Sequence, residues 1–205
     1  MKREREEAQR VATTRIETAD LGLPAIDALD VDALAVFVGP ERPLQGLAGF
    51  ADWRLCGLIS RAIRDGSYGP DTGEALLLPS GGRIAVPRIF CFGLPQPAPD
   101  RAAFEGQVRR LCGAMHKAGS VSWAGALPPL APEVEVAAGR LFLEALLPAA
   151  PHKLVLLGDA RALHKELAEA REALGARELE LVPPVSRVEM PSRSAGLPHP
   201  RAVLR

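Results

Sequence analysis

Val31-Asp-Ala-Leu-Ala-Val-Phe-Val38 is a short apolar run with one acid near its start, and Gly39-Pro40 closes it. Apolar side chains stand at both odd and even positions, so the run has no polar face. A strand of that kind is covered by helices on both sides. Beyond the break, Gly46 and Gly49 space a loop that opens into an amphipathic segment. Buried strand, glycine loop and helix form the unit around which the chain is built.

The flanking segments extend the alternation. From Asp52 to Asp65, Leu55, Leu58, Ile59, Ala62 and Ile63 recur at helical spacing, with Arg54, Arg61 and Arg64 off that face and Gly66 placed to end it. Residues 74–79 and 83–94 join through Ser80-Gly81-Gly82, and Pro87 there requires an edge or a bulge. Ile89-Phe-Cys-Phe92 reads as a second deeply buried strand. Phe104, Val108, Leu111, Cys112 and Met115 define a helix capped by Asp100 and stopped at Gly119. Val121–Leu127 is a short strand. A helix through Val134, Ala138, Leu141, Phe142 and Ala145 follows it and ends at Pro148. Leu154–Leu157 is another buried strand. Gly158-Asp159 opens a helix with Leu163, Leu167, Ala170 and Leu174 inward, and Glu178–Val182 alternates as the last strand. Towards the amino end, Arg15–Ala19 reads as an edge strand and residues 20–30 as a connection. The expected architecture is one three-layer α/β/α domain over residues 15–182, with a mixed, mostly parallel sheet. Residues 1–14 form a charged extension expected to be flexible. Residues 183–205 hold five prolines, and four arginines against one glutamate, and read as a basic tail that is flexible or docks on a partner.

Composition excludes several classes. Lys plus Arg and Asp plus Glu are 25 each, which gives no whole-chain attraction to nucleic acid or to an anionic membrane. No run approaches the roughly 18 apolar residues of a membrane span. The charged start lacks the apolar stretch of a secretory signal, and three singly spaced cysteines (Cys56, Cys91, Cys112) read as buried reduced thiols, so a cytoplasmic location is expected. Cys112 and His116 stand four apart on a helix, but the apolar face around Cys112 favours a packed thiol over a thiolate–imidazole pair. The histidines show no zinc spacing, and no nucleophile elbow or Walker loop occurs. No metal, no cofactor and no catalytic residue is expected. Trp53 and Trp123 read as core; exposed, either would mark an interface.

Taken together, Asp32–Val38, Leu44-Gln-Gly-Leu-Ala-Gly49 running into the next helix, Gly66-Ser-Tyr-Gly69 with Thr72-Gly-Glu74, and Ile89-Phe-Cys-Phe-Gly-Leu94 resemble the N-terminal domain of the two-metal leucyl aminopeptidases. That domain is itself similar to macro domains, which bind ADP-ribose. The resemblance implies a macro-domain-like fold and, since the two-metal site of that family lies in a larger C-terminal domain, a free-standing non-catalytic module. Such a module would act through self-association or a protein partner. A small-molecule binder of ADP-ribose or a similar nucleotide is the alternative, and a DNA-binding accessory protein, through the stripe Arg54, Arg61 and Arg64, is a second. For a macro-type pocket the resemblance points to Asp32, Gly39, Gly46, Gly49 and Gly125. For Asp32, capping of local backbone is the competing role. Ala124-Gly-Ala-Leu-Pro128, where the second phosphate loop of macro domains falls, runs into prolines that lack the N–H groups a phosphate cradle uses.

Overall fold

A computed structural model describes residues 13–94, 100–130 and 138–184. Residues 1–12 of the charged extension, 95–99 before Asp100, 131–137 at the expected start of the helix through Val134, and 185–205 of the expected tail lie outside the described residues. Seven strands form one sheet: β1 (Thr14–Asp20), β2 (Ala33–Val38), β3 (Ala75–Pro79), β4 (Arg88–Gly93), β5 (Ser122–Gly125), β6 (Lys153–Gly158) and β7 (Leu179–Leu181). Their spatial order is β3-β4-β2-β5-β6-β1-β7. Among the described residues, only β3 runs antiparallel to its neighbour. The described residues also form six α-helices: α1 (Leu23–Asp27), α2 (Gly46–Arg54), α3 (Leu58–Arg64), α4 (Arg101–Lys117), α5 (Ala138–Leu146) and α6 (Ala160–Leu174).

The double-sided burial of β2 is seen directly. Leu34, Val36 and Val38 enter the core shared with α1, α2 and α3, while Ala33 and Ala35 enter the core shared with α4, α5 and α6. All five are fully buried. The alanines leave room for large neighbours: Ala33 pairs with Trp123 on β5, and Ala35 with Phe90 on β4. β4 and β6 split in the same way, Phe90 and Leu154 to one side, Cys91 and Val155 to the other. The result is the expected three-layer α/β/α architecture.

Helix ends follow local chemistry. Asp100 accepts from the Ala103 N–H at 2.9 Å, and Asp159 accepts from the N–H groups of Arg161 and Ala162, as N-caps do. Pro87 falls just before β4 begins, so it denies no ladder bond within the strand. Four expectations are corrected. β1 is not an edge: it lies between β6 and β7, and the edge position falls to β7. Residues 20–30 include α1, opened by Pro24 in its first turn. The helix expected over 52–65 is two helices, because the backbone turns left-handed at Cys56 and Gly57. Asp52 makes this bend pay: its carboxylate accepts from the N–H groups of Ile59 and Ser60 and from the Ser60 hydroxyl, capping α3 from the preceding helix. Finally, Cys56 is exposed rather than buried, while Cys91 and Cys112 are buried as expected.

Asp32 joins β2 to β5. Its carboxylate accepts from the N–H groups of Val121 and Ser122, both at 2.9 Å, and its own N–H donates to the Ser122 hydroxyl at 3.0 Å. Partial burial pushes the carboxyl up, but the Ser122 and Val121 donors, helped by Arg88, outweigh it and hold the acid below its ordinary value. Asp32→Ala is expected to lower the unfolding free energy by about 1–2 kcal/mol in denaturant titration. A lowered folded-state pKa means that the carboxylate's contribution is present above about pH 4 and is lost as the pH falls through the depressed value. Wild type and Asp32→Asn should therefore differ in stability at neutral pH and converge in acid.

Candidate functional site

Open parallel sheets bind ligands beyond the carboxyl ends of their strands, where neighbouring connections leave for opposite faces. Here that point lies between β2, which leads to α2 on one face, and β5, which leads to α5 on the other. Gly39 follows β2 directly, and Gly46 is the first residue of α2, with a φ of 55° that suits glycine. No side chain caps α2, since the Gln45 amide instead donates to the Pro43 carbonyl at 2.9 Å.

Of the other three candidates, Asp32 and Gly49 do not join them at this lip. Asp32 precedes the opposite end of β2, a strand's length of about 20 Å away, and both backbone donors at β5 claim its carboxylate. It holds the local backbone, the competing role the sequence offered for it. Gly125 is the last residue of β5 and so stands at the lip, opposite Ala35 and against the Ala35 carbonyl. Gly49 lies within α2, where a methyl group would collide with the Leu44 carbonyl; its bareness lets the 40–45 loop lie on the helix. Spacing alone could not separate these packing glycines from ligand-facing ones.

A different surface stands out on the same layer. Trp123 is core, as expected, but Trp53 is 63% exposed and corrects that reading. Trp53 lies in α2, opposite the buried face formed by Leu47, Ala48 and Ala51. Arg54 stacks its guanidinium 4.9 Å from the centre of the Trp53 ring and is tied to Asp27 by an ion pair. A groove of about 670 Å³, lined by Pro43, Leu44, Asp52 and Cys56, opens beside the indole. A second, of about 360 Å³, lined by Leu23, Gln45 and Phe50, also reaches it. Leu44, Gly49 and Trp53 line both.

The remaining chemistry is sparse. Burial pushes the Cys91 thiol up to about 12, with Asp52 adding to the effect, and pushes Cys112 up to about 11, so neither is a thiolate at neutral pH. Cys112 is 2% exposed and His116 is exposed, which leaves the packed-thiol reading of that pair in place. Exposed Cys56 accepts from the Arg83 guanidinium at 2.6 Å. Of the arginine stripe, Arg54 is engaged by Asp27 and Trp53, and Arg64 pairs with Asp65. Among the described residues no three His, Cys, Asp or Glu side chains could hold a metal ion, and no helix is long and apolar enough to cross a membrane.

The two helix glycines can be told apart by substitution. Gly49→Ala should destabilise the protein by about 1–3 kcal/mol, since it forces backbone apart in a packed region. Gly46→Ala should cost about 1 kcal/mol, the price of a left-handed backbone at an open position. Thermal unfolding of the two variants measures the difference.

No family model and no curated protein matches the sequence. Solved structures do match by fold. A tomato leucine aminopeptidase variant aligns over 79% of this chain and 36% of its own, at 16% identity and a TM-score of 0.57. The macro domain of ganglioside induced differentiation associated protein 2 aligns over 78% of this chain and 85% of its own, at 14% identity and a TM-score of 0.57. The chain thus spans about a third of the aminopeptidase and nearly all of a macro domain. Its fold is macro-domain-like, the fold of the N-terminal region of leucine aminopeptidase.

Proposed function

We propose that this chain is a non-catalytic interaction module whose contact face is centred on Trp53, and that it acts by self-association through that face. The observation that carries the reading is the 63% exposure of a tryptophan that lines two apolar grooves. Large exposed aromatics set in pockets and stiffened by an arginine are what interface hot spots are made of. The thiols of Cys91 and Cys112 are buried, and the carboxylates of Asp32, Asp52, Asp100 and Asp159 are engaged by backbone N–H groups, which supports a module that binds. Neutral net charge and an arginine stripe partly engaged by acids weigh against a DNA-binding role. Sedimentation of the wild type should show association that rises with concentration, and Trp53→Ala should shift it to monomer without a change in thermal stability. Equal association of the two proteins would refute this reading.

The second reading is a binder of ADP-ribose or a similar nucleotide, favoured by one observation: α2 begins at the carboxyl end of β2 with no side chain on its first N–H groups. On the leading reading, millimolar ADP-ribose should leave the melting temperature unchanged. A rise that saturates with ligand, and that Gly46→Ala lessens, would establish the second.

A further inference from the structure

A tryptophan this exposed, in a face already shaped to receive a chain, raises the question of what covers it. We propose that residues 185–205 of the same chain dock on the Trp53 face and hold its self-association in check. The inference rests on the reading of that face as a contact surface and adds its regulation.

Three observations carry it. The first is the face itself: a rigid aromatic platform with two grooves beside it. Asp52 fixes the bend between α2 and α3, and Arg54 with Asp27 fixes the plane of the indole. Grooves lined by aromatic rings are the surfaces on which extended proline-rich segments dock, because such segments are preformed and lose little entropy on binding. The second is composition. Pro183, Pro184, Pro191, Pro198 and Pro200 are interleaved with Val185, Val188, Met190 and Leu197, which supply apolar groups for the two grooves. The third is where this stretch is tethered. β7 runs in the same direction as β2, so the chain leaves Leu181 at the end of the sheet at which α2 begins. β7 and β2 stand four places apart, about 19 Å at the usual strand spacing. The 21 residues beyond Pro184 reach about 65 Å as a polyproline helix. Tethered at that distance, the segment meets the face at an effective concentration in the millimolar range, well above that of a second molecule in dilute solution.

Acrylamide quenching of tryptophan fluorescence in the full chain tests the proposal. Trp123 is 1% exposed, so quenching reports Trp53, and Trp53→Phe confirms the assignment by removing the quenchable signal. The triple substitution Pro191→Ser, Pro198→Ser and Pro200→Ser should raise the quenching constant severalfold, and the wild-type constant should not change on dilution. The same triple variant should associate more strongly than wild type in sedimentation. Equal quenching of wild type and triple variant would overturn the proposal. So would a wild-type constant that climbs on dilution, which would assign the covering segment to a second copy. The two readings fail separately: quenching decides what covers Trp53, whereas Trp53→Ala introduced into the triple variant, where the face is uncovered, decides by sedimentation whether that face associates at all.

Discussion

Everything in this fold depends on β2 being buried on both of its faces while hydrogen-bonded on both of its edges. A six-residue strand in that position has little contact with water to orient it, Phe37 being the one residue not fully buried. Its order in the core comes from size alone, with small alanines facing one helix layer and branched side chains facing the other. The alanine side admits Trp123 and Phe90 from the flanking strands, and the branched side receives Leu47, Ala48 and Ala51 from α2. Register along β5 is set by the Asp32 clasp, since a slip of one residue would leave the backbone donors of Val121 and Ser122 without their acceptor. The placement of α2, and hence the outward aim of Trp53, follows from this arrangement.

Much of this was legible in the residues. Continuous apolar runs marked β2, β4 and β6, and aspartates followed by helical periods marked α4 and α6. What was not legible depended on partners distant in sequence. Arg15–Ala19 alternates like a half-exposed strand, yet β7 covers its outer edge, and only the topology decides that. The break between α2 and α3 left a local trace in Gly57, but the device that makes it stable, a carboxylate seven residues before the N–H it caps, does not resemble an ordinary N-cap in sequence. Asp32 shows the same limit at the site. An acid before a strand reads alike whether it awaits a ligand or holds a neighbouring strand, and the hydrogen bonds to residues 121 and 122 settle it. Glycines were the least legible, because close packing and ligand approach both demand a missing side chain.

The fold is shared with macro domains and with the N-terminal region of leucine aminopeptidase, and a scaffold by itself does not name the chemistry placed on it. At the lip where such sheets receive ligands, this chain has Gly39 and an uncapped helix, while Asp32 stands at the other end of β2 and holds β5. Its most distinctive surface lies on the outer side of the helical layer instead, where a cation and an indole are stacked in the open.

The position of β1 has a consequence for how the protein is made. Both of its neighbours, β6 and β7, come from the far end of the chain: Ile16 pairs with Leu154 on one side and with Leu181 on the other. During synthesis the first strand to emerge from the ribosome must therefore wait, unpaired, until nearly all of the sheet-forming sequence has followed it. The β3–β4 hairpin, whose partners are close in sequence, can close long before that. Sequence order alone therefore lets the β3–β4 ladder close before either ladder of β1.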